Sequence, residues 1–526
     1  MVNRSDIDAL SHTARLAARA GDWSTVSRCA RQILKRDSGA AEGHFLRGQA
    51  AKASGKFDAA ERNLRRALMA DGKRYDVAVE LAELYVRLER NKEAVALLRL
   101  YAGALGNSPV YLGMAASAYS RMDLHAEALP LYRRACELQP GIERFLAGQA
   151  ACSVFLGDIA DARSIYEDLL RRNPSHQRFH YELAQLAAAR DLQHVEQMKA
   201  VLTQSALPPK DNIFLYYAIG KELEDLGLWD EAYEYYERGG NAVKSVSPYD
   251  VETDIRLIDA IIETCNESWL SQAPVHQASA TGHPVPIFIV GLPRTGTTLT
   301  ERIVSSHSQI GSVGETFFLP RALRDAAGMR GPPNLTLETI KAFAAAAPSG
   351  LAARYLEAVD YKLGTEPMFV EKLPENFLLI GHIVLSFPRQ HIVHVRRHPM
   401  DACFAMYKQS YFRYAYSLDD LGRYYVAYDR LMHHWRSLLG DRLIEVRYED
   451  LVTRTGEEIR RLLERLGLPY EHACLDFAAR DWSTRTASAV QVREKVHTRS
   501  VDRWRRFEFQ LRPLRDYLEE QKIDVD

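Results

Sequence analysis

Along roughly the first 240 residues, apolar side chains recur every three to four positions between Arg, Glu and Gln, the spacing of amphipathic helices. Short turn-like breaks interrupt the pattern: GDW at Gly21, GKF at Gly55 and GDI at Gly157. Gly21 and Gly55 are 34 residues apart, and Gly157 lies three such intervals beyond Gly55; the two intervening registers hold Glu89, in LERNKEA, and Asp123, in RMDLHAEA. Five positions after each register stands a small or modest apolar residue: Val26, Ala60, Ala94, Ala128 and Ala162. Glycine permits a tight turn between two antiparallel helices, and a small side chain lets those helices approach closely. Pro140 and Pro174, again 34 apart, are placed to end second helices. A weaker unit starts from Asp191, and GLWDEAYEYYERG, Gly227 to Gly239, reads as a further one.

A 34-residue period with these offsets resembles the tetratricopeptide repeat. The resemblance implies a helical solenoid over residues 1–240, each unit burying its face on the next, with a groove for a partner protein. Two other uses stay open, a passive extension that stabilises the chain and a homodimer contact. Residues 241–284 read as a helical connector and linker, with Pro, Gly, Ser and His collecting around 270 to 285.

From residue 285 the pattern changes. PIFIV (286–290), MFVEK (368–372), HIVHVRR (391–397) and RLIEVRYE (442–449) are short apolar runs expected to be strands, while NFLLIGHIVLSF (376–387) and GEEIRRLLERLG (456–467) are helix candidates. Strands alternating with helices predict a parallel sheet covered on both faces. The fold class expected for the chain is therefore multidomain, an all-α repeat solenoid followed by an α/β domain with a P-loop-like strand, loop and helix over 285–526.

Composition narrows the functions. Lys+Arg 68 against Asp+Glu 69 gives a net charge of −1, without the basic excess of a nucleic-acid binder. The opening stretch lacks the apolar run of a signal peptide, and no run of 18 apolar residues occurs, so a cytoplasmic protein without a membrane span is expected. The 6 cysteines form no CxxC pair, and His433-His434 lacks companions at metal-ligand spacing, so no metal is expected.

The strongest local signal is PIFIVGLPRTGTTLTERI. Gly291 and Gly296 are spaced as in GxxxxG, so backbone amides and the following helix N-terminus are arranged for a phosphate. Thr297 stands where a nucleoside triphosphatase carries lysine, and Arg294 supplies the cation instead. That exchange argues for a nucleotide with a single 5′-phosphate carrying a small group.

PRTGTT resembles the 5′-phosphosulfate loop of sulfotransferases that use 3′-phosphoadenosine 5′-phosphosulfate (PAPS), in particular the tyrosylprotein sulfotransferases and their repeat-containing bacterial relatives. The resemblance covers roughly residues 285 to 510 and assigns roles to matching positions. Glu315, 21 residues after Arg294 in LTERIVSSHSQIGSVGETFF, falls on the catalytic glutamate, and His307 on a histidine without assigned chemistry. Lys372 in VEKLPENF falls on the catalytic lysine, and Arg397 in HVRRHPMDACFAMY on the arginine for the 3′-phosphate. Eight residues beyond Arg397 the family has serine; here it is Ala405, which removes a hydroxyl that Arg396 or Ser410 is placed to replace. Tyr448 in VRYEDLV, Ser488 in SAVQVREKVHTRSVDRW and Arg503 before Trp504 complete the match, arginine standing where the family has a cofactor-binding lysine.

The resemblance implies transfer of a sulfuryl group from PAPS to an acceptor hydroxyl. Glu315, Lys372, Arg294 and Ser488 are the expected catalytic groups. Arg294, Thr295, Gly296, Thr297, Thr298, Arg397, Tyr448, Ser488 and Arg503 are the expected cofactor-binding ones. The acceptor is a peptide, with tyrosine as one candidate, or a small hydroxyl compound, and Tyr411, Phe412, Tyr414 and Tyr416 either line its pocket or are packing. Two alternatives stand beside this reading: a nucleotide-binding repeat scaffold with an inactive transferase domain, and a P-loop kinase.

Overall fold

The computed structural model describes residues 4–205, 207–271, 284–329, 335–345, 350–387, 389–479, 493 and 495–526. The chain forms two compact units, Met1–Leu156 and Gly157–Asp526. The first is all helical among the described residues, built of antiparallel pairs such as Arg4–Arg19 with Trp23–Arg36 and Ala41–Ala53 with Phe57–Ala70. The repeat register of the sequence is visible in the backbone. Gly21, Gly55, Glu89, Asp123 and Gly157 all have positive φ, between 58° and 93°, so each turn passes through the left-handed region whether or not glycine is present. Where Asp follows the glycine it caps the next helix: Asp22 accepts from the Thr25 amide at 3.0 Å, and Asp158 from the Asp161 amide at 3.1 Å. Val26, Ala60, Ala94, Ala128 and Ala162 are all fully buried.

A second small-residue register, also spaced by 34, runs through Gly48, Ala82, Ala116, Ala150, Ala184 and Ala218. At Gly48 a Cβ would meet the Leu64 side chain at 2.8 Å, which shows how close the paired helices run. Pro140 and Pro174 follow helices that end at Leu138 and Arg172. The unit at Asp191 differs from its neighbours. Its helices, Gln177–Gln185 and Gln193–Ser205, are joined by a longer loop, and Asp191 instead accepts a hydrogen bond from the Gln193 amide at 2.9 Å.

The second unit carries the helices from Ile159 to Ser271 and a five-stranded parallel sheet. The strands are β1 Val285–Val290, β2 Ile310–Gly314, β3 Met368–Lys372, β4 His391–Arg396 and β5 Leu443–Arg447, in the spatial order β2-β3-β1-β4-β5. Alternation along each strand feeds two cores. Ile287, Ile289, Val370, Val393, Val395, Ile444 and Val446 pack on one face with Ile303 and Leu462 of the covering helices. Phe288, Val290, Phe369 and Ile392 pack on the other, in a core continuous with Ala218, Leu223 and Tyr236 of the repeat helices. Both faces are thereby covered, as a parallel sheet requires.

Four of the five strands coincide with the apolar runs of the sequence. The fifth, β2, is IGSVG at the sheet edge, too polar and glycine-rich to read as a strand, and its pairing with β3 shifts register between Ser312 and Gly314. Two expected elements are shorter than the pattern implied. RLIEVRYE leaves the sheet at Arg447, with Tyr448 opening a helix, and NFLLIGHIVLSF splits into a 3₁₀ turn, Pro374–Leu379, and a helix, Ile380–Ser386. Among the described residues, no helix is long and apolar enough to cross a membrane.

Because the repeat alanines sit fully buried between paired helices, adding volume there forces the helices apart. Ala128→Leu should lower unfolding free energy by about 1–3 kcal/mol, read as a shifted denaturation midpoint; an unchanged midpoint would show that this helix pair is not closely packed.

Candidate active site

Each strand of the sheet delivers one candidate residue at or just beyond its carboxyl end. In spatial order these are Glu315 after β2, Lys372 at the end of β3, the Gly291–Gly296 loop after β1, Arg397 after β4 and Tyr448 after β5. Ligands of open parallel sheets gather at this edge.

The loop is held by its own backbone geometry. Gly291 has φ 149°, and a Cβ there would lie 2.4 Å from the Val395 carbonyl; Gly296 has φ 100°, and a Cβ there would lie 2.5 Å from the Tyr448 ring. Arg294 adopts φ 67°, uncommon for a residue with a side chain. Its carbonyl accepts from Arg397 Nη1 at 3.0 Å, and Arg397 Nη2 donates to the Ser500 carbonyl, so one buried guanidinium ties the loop to the C-terminal segment. The same group lies 4.8 Å over the Tyr448 ring, and burial pushes its pKa down. The Thr295 hydroxyl closes the loop on the Leu292 carbonyl at 2.7 Å, so its side chain serves the turn. Helix Thr297–Ser305 then starts at Gly296 without a side-chain cap, leaving its first amides for another acceptor.

Before this helix end lies a cavity of about 650 Å³. Arg294, Gly296, Thr297, Thr298, Arg397, Tyr448 and Arg503 line it, seven of the residues singled out from the sequence. Lys408, Arg499 and Lys495 add cations to its wall. The volume is within the usual range for a small-molecule site, and the helix terminus with convergent cations suits an anionic nucleotide. Ser488 lies outside the described residues. Ala405 lines the cavity, while Arg396 is exposed and neither it nor Ser410 is on the wall, so neither stands in for the missing hydroxyl.

Glu315 and Lys372 meet at one side of the loop. Lys372 is 0% exposed, donates from Nζ to Glu315 and has Glu301 at 3.8 Å. Successive residues of β3 point to opposite faces, and each takes one residue of the β2 exit: Lys372 takes Glu315, and Glu371 accepts from the Thr316 hydroxyl at 2.7 Å. This double pairing holds Glu315 and the residue after it to neighbouring residues of β3. The Gly291 amide donates to the Pro374 carbonyl at 3.2 Å, which joins the β1 loop to the segment following Lys372. Tyr411, 47% exposed, feels the charges of both Arg294 and Glu315. Tyr414 instead stacks on Tyr424 at 3.8 Å, and Tyr416 donates to the Ser410 carbonyl, so those two rings are packing.

Several residues carry purely structural duties. His307 is buried and bridges the Gln309 amide and the Pro469 carbonyl. His433 pairs with Asp429 and His434 with the Cys265 carbonyl, and among the described residues no group of three or more His, Cys, Asp or Glu could hold a metal ion. Sequence reasoning missed Asp401, whose carboxylate accepts from the Asp502 and Trp504 amides at 2.8 and 3.0 Å and so presents Arg503 between them. It also missed Glu224 of helix Ile213–Asp225. That carboxylate accepts from Lys408 at 2.7 Å, Arg503 at 2.6 Å and Tyr236 at 2.7 Å. Burial alone would raise its pKa, but Lys408 and then Arg503 outweigh it and hold Glu224 down at about 2.

Residues 286–472 match the sulfotransferase family model, and residues 51–118, 110–142 and 154–193 match tetratricopeptide-repeat models. The chain carries a sulfotransferase-family domain together with tetratricopeptide repeats. Among curated proteins, an uncharacterized protein of Aquifex aeolicus (strain VF5) is 29% identical over 406 residues, 75% of this chain and 52% of that protein. The chain thus spans about half the length of that relative. A Caenorhabditis briggsae protein named "Putative protein-tyrosine sulfotransferase" is 25% identical over 231 residues, 41% of this chain and 80% of that protein. Among solved structures, the sulfotransferase domain of the Synechococcus PCC 7002 olefin synthase matches at 22% identity and a TM-score of 0.31, over 44% of this chain and 90% of that one.

Beneath the pair, Glu371 titrates. Complete burial pushes its carboxyl up to about 7, against hydrogen bonds from Thr316 and Tyr355. The folded state therefore keeps a proton that the unfolded chain releases near pH 4.5, and stability falls as pH rises from about 4.5 to about 7. The unfolding free energy across that window should decline by roughly 1–3 kcal/mol in the native protein, read from denaturation curves, and stay flatter in Glu371→Gln; equal declines in both would place the titration elsewhere.

Proposed function

We propose that the sulfotransferase-family domain moves a sulfuryl group from PAPS to an acceptor hydroxyl. The observation that carries the reading is the Lys372–Glu315 pair beside an anion-cradling loop that has Arg294 in place of the triphosphatase lysine. The loop amides, Arg294 and the helix terminus at Thr297 hold the 5′-phosphosulfate. Arg397 and Arg503 face the other phosphate. Glu315 takes the proton from the acceptor hydroxyl as its oxygen bonds to sulfur. Meanwhile the bond from sulfur to the 5′-phosphate oxygen breaks, and adenosine 3′,5′-bisphosphate leaves. Lys372 balances the charge that builds on the sulfuryl and bridging oxygens. No step calls for a metal.

Tyr411, half exposed beside Arg294 and Glu315, supports an aromatic edge along which the acceptor enters. A phenol of a peptide tyrosine suits such an edge, as does a small phenolic compound. The match to a protein bearing a tyrosine sulfotransferase name favours the peptide, and the repeats offer a surface on which a peptide chain can lie.

Two measurements test the assignment. Calorimetric titration should show adenosine 3′,5′-bisphosphate binding in preference to ATP–Mg²⁺; the reverse preference would make the protein a kinase. Incubation of a cell extract with ³⁵S-labelled PAPS should label an acceptor, and Glu315→Ala should cut that rate about a hundredfold or more while bisphosphate binding persists. Near-normal labelling by the variant would remove Glu315 from the chemistry.

A further inference from the structure

Lys372 is a buried cation shared by two carboxylates. Glu315 takes a hydrogen bond from Nζ, and Glu301 Oε2 lies 3.8 Å from the same atom. The two carboxylates differ in their surroundings. The Glu315 side chain is 33% exposed and the Glu301 side chain 9%, so solvent reaches Glu315 while Glu301 is nearly closed off. Glu301 belongs to helix Thr297–Ser305, whose first amides stand at the anion loop. Its other oxygen, Oε1, accepts from the Ser312 hydroxyl at 2.7 Å, and that hydroxyl accepts in turn from the Gly314 amide at 3.1 Å. Gly314 has φ 74°, and the pairing of β2 with β3 shifts register at this point. The next residue is Glu315. One buried carboxylate therefore connects the helix of the anion loop, the bend that presents Glu315, and Lys372.

The proposed reaction changes what balances Lys372. As Glu315 takes the proton from the acceptor hydroxyl it becomes a neutral acid, and its ion pair with Lys372 ends. A fully buried ammonium has no water to turn to, and a buried charge stripped of its partner is strongly destabilised. Glu301 takes no proton in that step and keeps its charge, so Lys372 stays balanced while it meets the sulfuryl oxygens. Other charges lie near this group: Glu375 feels both Glu315 and Lys372, and Arg302, next to Glu301 in the chain, feels Glu301. Among the described residues, however, only Glu315 and Glu301 place a carboxylate oxygen within 4 Å of Lys372 Nζ.

We propose that Glu301 is the positioning residue of the Glu315–Lys372 pair: it remains the counter-ion of Lys372 once Glu315 is protonated, and through Ser312 it holds the bend of β2 that presents Glu315. The inference rests on the function proposed above and deepens it. Neither role involves contact with the nucleotide, so both are felt in the rate of transfer and leave cofactor affinity unchanged.

The test follows labelling of a cell extract by the full chain as a function of ³⁵S-labelled PAPS concentration, with calorimetric titration of adenosine 3′,5′-bisphosphate and a denaturation curve for each variant. Glu301→Gln keeps the shape and an acceptor oxygen for Ser312 but removes the charge. Its labelling rate at saturating PAPS should fall about tenfold or more, while the half-saturating PAPS concentration and the bisphosphate affinity change by less than about twofold. Ser312→Ala keeps the charge and removes the anchor; it should lower the same rate by a smaller factor, again with affinity unchanged. A native rate in Glu301→Gln would overturn the inference, as would a loss of rate that runs in step with bisphosphate affinity and the denaturation midpoint. Should Glu301→Gln not fold, Ser312→Ala decides by the same split, and a native rate there overturns the inference. A native protein that transfers no label from PAPS would instead overturn the proposed function itself.

Discussion

A parallel sheet ends all its strands on one side, and that constraint organises everything else at the site. Strand ends bring backbone carbonyls and turns together, and the helix that follows β1 points its amides back at the same edge. Five residues from positions spread between Arg294 and Tyr448 reach one edge of the sheet because each sits at or just past a strand terminus; Arg294, Arg397 and Tyr448 line the cavity, and Glu315 and Lys372 pair with each other. None of the five needs a special conformation of its own except Arg294, whose positive φ is secured by Arg397 on its carbonyl.

The second theme is how charge is kept buried. Lys372 has no solvent exposure and is balanced by Glu315 and Glu301; Glu224 is balanced by Lys408 and Arg503; Arg397 leans on Asp401 at 3.8 Å. Breaking one partner of such a pair costs far more than the pair contributes, because the other charge is stranded. Glu371 shows the opposite solution. With no cation in direct contact it takes two hydroxyl hydrogen bonds and its pKa rises, so the group beneath the Glu315–Lys372 pair is proton-bearing in mildly acid solution.

Legibility in the sequence followed periodicity and motif. The repeat turns could be read even at Glu89 and Asp123, where no glycine marks them, because a 34-residue spacing survives the loss of one residue type. The loop from Gly291 to Gly296 could be read because its glycines stand at GxxxxG spacing directly after an apolar strand, with Arg294 between them. Strand β2 could not be read, since IGSVG at an edge has neither alternation nor an apolar run. Lys408, Glu224 and Asp401 could not be read either: an isolated lysine or carboxylate on a helix is ordinarily solvated, and nothing local distinguishes these three.

By itself the sequence determined the repeat register, the strand–loop–helix anion cradle and the residue types stationed at the strand ends, because each depends on short-range spacing that the chain carries wherever it folds. Only the tertiary structure decided which distant charges meet. Glu224 reaches Lys408 and Arg503 across 184 and 279 residues of chain, and Lys372 reaches Glu315 across 57, because packing of the repeat helices and the order of the strands, rather than any local pattern, brings those side chains into one low-dielectric space.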